Sequence, residues 1–539
     1  MAVGTNSVAG PHGEEAKVAH EETPVLIVGG SLVGLTSALL LGDLGVPSLV
    51  VERHPGTAIH ARAGHFQLGT TEMLRQVGLE RTVREASAKT YHPTGGIIAV
   101  ESLAGEQLAT FVNELNEGVE GFSPTVRVFI NQDVLEPILR EKAVALGATV
   151  RNRVEATGIE QDDDGVTVTL HDLESAKDHT VRARYVIAAD GNRSPIRTRL
   201  GIDMKGHGIL SRSITIYFRA DCTPLLEDRN QGVIYVHNPE LRGFFRLDRA
   251  GKSGFLVINS VGADVTTDEA VNVGEGITEE RAAAMLQTAI GTPDIPADIL
   301  EIVHWRAEAN CATRMRDGRV FLAGDAAHVV PPNGGYGGNM GILDARNLAW
   351  KLAAVIQGEA GTGLLDTYEA ERHPLSQLTV EQAYTRYATR VVPERGTDDA
   401  QPVIDDLTME LGLVMNSNAV IGGVSDGTRH LPPAVTRGLP GTRAPHVALG
   451  PDRSTLDLFG RSFVLLRAAD DDNWAPPGVE AHVIDADGFL EAYGITREGA
   501  ALIRPDGIVG WRATGAFAHD ELTAALHSIL ALDGPPPVA

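Results

Sequence analysis

Residues 318–356 constrain this chain more than any other stretch: GRVFLAGDAAHVVPPNGGYGGNMGILDARNLAWKLAAVI. The segment 319–323 is a short apolar run of the kind buried on both faces of a sheet, and it breaks at Gly324 and Asp325. Pro331, Pro332 and Asn333 follow, then Gly334, Gly335, Gly337 and Gly338. Such glycine density leaves bare N–H groups able to approach a flat or anionic ligand. From about Asn339, the spacing of Ile342, Ala345, Ala349, Leu352 and Ile356 predicts a helix, whose N-terminus favours negative charge. A tight connection that uses glycine only for geometry is the competing reading. Asp325, the diproline and the paired glycines at fixed offsets fit a binding loop better.

The chain has 539 residues, room for two or three domains. It carries 46 Lys and Arg against 71 Asp and Glu, a formal charge of −25. That balance argues against nucleic acid or anionic membrane and for a small-molecule partner. Cys222 and Cys311 form neither a disulfide framework nor a CxxC pair, as expected of a cytoplasmic protein. No apolar run reaches the ~18 residues that span a bilayer. Residues 1–22 read as a disordered polar tail.

Residues 24–28 predict a buried strand, followed by Gly29, Gly30, Ser31, Leu32, Val33 and Gly34, then a helix, then a second strand over 47–51 that ends at Glu52. This is the layout of a dinucleotide fold, in which the pyrophosphate sits on the helix N-terminus and the carboxylate takes the ribose hydroxyls. Ser31 stands where the second glycine of that pattern belongs. The loop over 54–69, with His54, His60, Arg62 and His65, is either a solvated connection or a wall beside the cofactor.

Residues 95–111 and 213–261 alternate as strands do and could form one sheet built from two separated insertions. Between them Gln132 opens an apolar helix, and 150–170 reads as a hairpin. A strand over 182–188 runs into Asp190, Gly191, Ser194 and Arg197. After a charged helix over 366–390 and a Gly- and Pro-rich boundary over 423–445, the remainder reads as a small separate α/β domain.

Three marks coincide: the GGSLVG turn with Glu52 and Arg53, the Asp190 run with Ser194 and Arg197, and the run from Gly324 to Asn339. Together they resemble the class A flavoprotein monooxygenases of the p-hydroxybenzoate hydroxylase type over residues 24–390. The tail, with RAPH at 443–446 and RPDG at 504–507, resembles the thioredoxin-like extension of the phenol and aromatic-polyketide hydroxylase branch. Without a CxxC pair it has no dithiol chemistry. The resemblance implies an α/β fold with a Rossmann-like FAD domain from 23–94, 126–204 and 286–395. It also implies a substrate-binding β-sheet domain from 95–125 and 205–285, a linker region over 396–440 and the thioredoxin-like domain over 441–539.

It further implies FAD, NADPH or NADH, and O2, with a flavin C4a-hydroperoxide hydroxylating a phenolic or polyketide-like ring. Carried over residue by residue, Gly29, Gly30, Ser31, Val33, Gly34, Glu52, Arg53, Arg62, Gln132, Asp190, Gly191, Gly324, Asp325, Gly337, Gly338, Asn339 and Met340 would hold FAD. Pro331, Pro332, Asn333, Gly334 and Gly335 would lie over the flavin, and Ser194 and Arg197 would serve the nicotinamide. Tyr217, Phe245 and Phe255 are the substrate candidates; no metal is expected, and the chain would be a monomer or homodimer. In much of the family an arginine precedes the Thr-x-Glu helix, but here that place is Gly69. His54, His60 and His65 are the nearest candidates for a covalent flavin tether, and His328 is expected to pack or hydrogen-bond rather than act as a base. Oxidative rearrangement or Baeyer-Villiger insertion, and a flavin-binding protein without turnover, are the alternatives. A related halogenase is disfavoured, because Trp305, Trp350, Trp474 and Trp511 form no paired-Trp motif.

Overall fold

Uninterrupted apolar runs become strands covered on both faces. In the computed structural model, which describes residues 21–59, 64–226, 229, 232–262, 267–391, 398–468 and 474–532, Glu21–Val28 is such a strand. Its last four residues are buried. It runs parallel to Ser48–Glu52 on one side and to Lys177–Ala188 on the other. Thr149–Asn152 and Val320–Leu322 extend the parallel order at the two flanks. The strands therefore present their C-terminal ends, Val28, Glu52, Ala188 and Leu322, along one edge, the place where open parallel sheets bind ligands. Helix Leu32–Asp43 leaves that edge and packs against Gln132–Ala145 and the long helix Tyr336–Gln357. Of the expected tail, only Glu21 and Glu22 are described, and they begin the first strand.

A second sheet has eight strands in the order His328–Val329, Asp298–Ala312, Met204–Arg219, Ser253–Val261, Leu241–Leu247, Val233–His237, Ile97–Val100 and Gln107–Val112. The segments around 97–112 and 204–261 thus share one sheet. The expected boundary at 285 is corrected: Glu279–Ile290 packs on this sheet and Asp298–Ala312 is its longest antiparallel partner. Alternate residues of these strands face opposite ways. One face, with Phe218, Phe245, Leu256 and Ile258, closes on Glu279–Ile290 as an apolar core. The other face turns toward the first domain.

The C-terminal sheet has the order Val479–Val483, Phe463–Arg467, Ala500–Ile503, Val509–Ala513, with the first pair parallel and the others antiparallel, flanked by Phe489–Tyr493 and His519–Ile529. This is the thioredoxin-like unit. It is joined to the first domain by buried charge: Arg504, wholly buried, donates to Glu371 at 2.5 and 2.9 Å and to Asp506 at 3.0 and 2.5 Å. Lys351 of the long helix donates to the same Glu371 at 2.8 Å.

Candidate functional site

The turn after the first strand fits its pattern through close backbone approach. A Cβ at Gly29, where φ is +107°, would fall 2.2 Å from the Ala189 carbonyl oxygen, and one at Gly34 would fall 1.8 Å from that of Gly29. Any side chain there would push the helix off the strand edge. Glu52, 9% exposed, accepts the Gly30 N–H at 2.7 Å through Oε2, and the His54 N–H and ring nitrogen at 2.8 and 2.6 Å through Oε1. The carboxylate is thereby aimed at the strand ends. His54 is held on Glu52, and Arg53 is exposed beside it. His60 and Arg62 lie outside the described residues.

Ser31 begins helix Leu32–Asp43 but makes no side-chain capping bond. Its hydroxyl donates to Glu136 Oε1 at 2.5 Å and accepts from Gln132 at 2.9 Å. Glu136 is a residue at this turn that sequence reasoning missed. The available signal was its i+4 spacing from Gln132 on one helix face.

The long helix begins at Tyr336 rather than near Asn339, because Gly334 and Gly335, at φ +97° and +68°, form a left-handed entry. Gly337 and Gly338 are therefore in its first turn, where N–H groups lack intrahelical partners. Asn339, by contrast, uses its side chain within the protein. Oδ1 accepts from the Gln67 N–H and Thr70 hydroxyl, and Nδ2 donates to the His65 and Gly335 carbonyls. It ties the loop to the 65–70 segment and leaves only its main chain for a ligand. Met340 is buried beneath.

Behind the loop, wholly buried His328 meets Asp344 at 2.6 Å; Asp344 also accepts the Gly324 N–H at 3.0 Å and Arg372 at 2.8 Å. Burial opposes ionisation of Asp344, but His328 and Arg372 outweigh it and hold the carboxyl below its usual range. His328 is thus part of the scaffold that fixes the Gly324 turn. Gly324 in turn lies against Val33, where a Cβ would come within 2.8 Å, and Asp325 is exposed.

Arg197 clamps the turn from the other side, donating to the Ala326 and Asn192 carbonyls at 2.9 and 3.0 Å, while Ser194 caps its N–H. These groups serve first as struts. Gly191 takes φ +83°, and Asp190 accepts the Ile196 N–H through one oxygen; the other oxygen has no hydrogen-bond partner among the described residues. Burial pushes the Asp190 carboxyl above its usual range.

Opposite the loop stands the inner face of the second sheet. Tyr217 pairs across strands with Phe255, and Phe255 with Arg246; Tyr235 pairs with Phe244. Paired residues share a face. Their rings form a continuous wall: Tyr217 to Phe255 5.7 Å, Phe255 to Phe244 6.5 Å, Phe244 to Tyr235 5.7 Å. Phe245 is corrected here: it points to the opposite face, against Phe218 at 5.7 Å, and Phe244 occupies the position that strand alternation assigns to the site. The Tyr235 hydroxyl, raised by burial, meets Arg390 and Asn333 of the loop.

Arg246 lies over the Tyr91 and Phe129 rings at 4.3 and 4.8 Å, and its Nε and Nη2 have no hydrogen-bond partner among the described residues. Beside it His65, 5.2 Å from the Phe129 ring, is pushed down to about 3 by burial, then by Arg127 and Arg246, so it is neutral. Burying a cation without a counter-charge costs several kcal/mol, and an anionic group bound beside it would offset that cost. A Cβ at Gly69 would fall 3.4 Å from Leu343, and Glu72 of the same helix takes Arg443 of the C-terminal domain at 2.5 and 2.9 Å.

The residues present fit FAD. The chain offers a buried carboxylate and a close-approach glycine turn at the strand ends, a helix N-terminus, and two oxygens, Asp190 Oδ1 and Asn333 Oδ1, without a hydrogen-bond partner among the described residues. When bound there, FAD supplies hydride acceptance and oxygen activation; the protein supplies orientation, exclusion of water and a positive potential.

Residues 22–383 match the model of the FAD binding domain, and residues 437–532 match that of the aromatic-ring hydroxylase C-terminal domain. A 4-methyl-5-nitrocatechol 5-monooxygenase of Burkholderia sp is 49% identical, over 94% of this chain and 98% of that one. The tetracenomycin A2 monooxygenase-dioxygenase of Streptomyces glaucescens is 39% identical, over 95% and 97%. The crystal structure of aklavinone-11 hydroxylase with FAD and aklavinone superposes with a TM-score of 0.88 at 34% identity, covering 95% of this chain and 100% of that one. With its crevice, its inserted sheet and its C-terminal unit all accounted for, the chain belongs to the FAD-dependent aromatic-ring hydroxylases, monooxygenases that consume O2 and a nicotinamide reductant.

Proposed function

We propose that the substrate is an acidic single-ring phenol of the nitrocatechol kind, held with its ring against Tyr217, Phe244 and Phe255 and beneath residues 331–335. The observation that carries this reading is the Tyr235 hydroxyl meeting Asn333 and Arg390, which brings sheet and loop together at one end of the aromatic wall. The likeness to the nitrocatechol monooxygenase, at 49% against 39% for the tetracenomycin enzyme, points the same way. Arg246, whose Nε and Nη2 have no hydrogen-bond partner among the described residues, keeps positive charge near groups that are anionic during reaction.

In this reading Glu52 takes the ribose, the 29–34 turn takes the diphosphate, and the N–H groups of 336–339 face the pyrimidine edge. Ser194 and Arg197 hold the crevice in shape for the nicotinamide rather than gripping it. The test is reductant oxidation with 4-methyl-5-nitrocatechol and with a fused tetracyclic phenol, each under labelled O2, with NADPH and NADH compared. Stimulation by the single-ring compound and one labelled oxygen in its product are expected. Stimulation by the tetracycle alone would overturn the size assignment, and insertion of oxygen into the ring would overturn hydroxylation.

A further inference from the structure

The dinucleotide pattern is broken at one position, Ser31, where backbone must come close to phosphate and the fold calls for glycine. A hydroxymethyl group there stands on the ligand's approach. Ser31 does not use its hydroxyl to cap the helix it precedes. The hydroxyl is drawn sideways, donating to Glu136 Oε1 at 2.5 Å and accepting from Gln132 Nε2 at 2.9 Å.

Glu136 is wholly buried and has three further donors: the Leu32 N–H at 2.9 Å, Gln132 Nε2 at 2.7 Å and the Ala58 N–H at 2.6 Å. All of them border the same turn. By charge alone, a buried anion beside the helix end that receives a diphosphate opposes the ligand. Its placement there calls for a compensating contribution to binding.

We propose that Glu136 is a positioning residue for FAD: it holds the Ser31 hydroxyl out of the diphosphate's path, and so makes serine admissible where the fold otherwise needs glycine. This inference concerns the cofactor and stands whether or not the proposed substrate is right. Its distinctive consequence is conditional. Glu136 matters to FAD affinity because Ser31 is there, and it loses that importance once position 31 carries no side chain.

The test is a double-mutant cycle on FAD affinity, with the full-length holoenzyme stripped of flavin and refilled while flavin fluorescence is followed. E136A alone is expected to raise the FAD Kd by roughly tenfold or more, the scale of one charge-assisted hydrogen bond. In the S31G background, E136A is expected to change the Kd by less than about threefold, the limit of ordinary additivity. S31A alone is expected to stay within about threefold of the parent. Equal weakening by E136A in both backgrounds would make Glu136 a mere helix support and overturn the proposal. Tighter binding in both would show that charge repulsion dominates, and would overturn it as well. A tenfold loss in S31A would show that the hydroxyl itself holds phosphate, which is equally incompatible with it. If E136A does not fold, E136Q, which keeps one carbonyl acceptor, runs through the same cycle with the same criteria.

Discussion

Replacing Arg504 by Met tests whether the C-terminal domain is locked to the flavin domain by charge. Arg504 is wholly buried and meets four carboxylate oxygens, of Glu371 and Asp506, at 2.5 to 3.0 Å, with its guanidinium 5.2 Å from the Trp350 ring. Two cations, Arg504 and Lys351, balance two anions there. R504M keeps an aliphatic stem of similar length but leaves two buried carboxylates facing one lysine, a loss of about 3–5 kcal/mol. Against a total stability of roughly 5–15 kcal/mol, that is a large fraction. Lys351, pulled down to about 8 by burial and by Arg504 despite Glu371, should then bind its proton more tightly. The assay is urea unfolding of the holoenzyme, read by tryptophan fluorescence and flavin release together. R504M combined with E371Q should cost at least ~1 kcal/mol less than the sum of the single changes. A shift below about 1 kcal/mol for R504M, or strict additivity in the double variant, would rule out a charge lock between the domains.

Three other outcomes are expected. E52Q keeps the Gly30 contact geometry but removes the charge offered to the ribose hydroxyls, so FAD affinity should fall by about tenfold on titration, with little change in unfolding midpoint. The His65 ring, held near 3 against an ordinary 6.5, is bound by fewer protons folded than unfolded. Its contribution to stability is therefore complete above pH 6.5 and lost as pH falls toward 3; H65N should flatten that slope, and an unchanged pH–stability curve would contradict the placement. Cys222 and Cys311 are buried, with thiols pushed up to about 11 and about 12, so a disulfide reagent at about pH 8 should label neither until denaturant is added.

The Rossmann-like half was legible because its signals are local: an apolar run, a glycine turn and an acidic strand end within one βαβ unit. Gly29, Gly34 and Glu52 come together at the ends of the first two strands as that unit demands. What the sequence hid depends on register and on distant pairing. Phe245 and its neighbour Phe244 are equally aromatic, and only the cross-strand pairing of Phe244 with Tyr235 tells which one faces the site. Strand Asp298–Ala312 belongs with Met204–Arg219 through antiparallel pairing between segments far apart in the chain, which no local periodicity records. Glu136 looked like one more charge on an amphipathic helix until Ser31 and Leu32 were found against it. Arg504 sat in a visible RPDG run, but its partner Glu371 lies on another domain.

The flavin crevice is probed most directly by the visible spectrum of the purified chain, followed by FAD titration of the stripped protein. The two-banded absorption of oxidised flavin is expected, or its recovery with quenched flavin fluorescence on refilling, together with faster nicotinamide oxidation when a single-ring phenol is added. A colourless protein that leaves added FAD free in solution would contradict the assignment of that crevice.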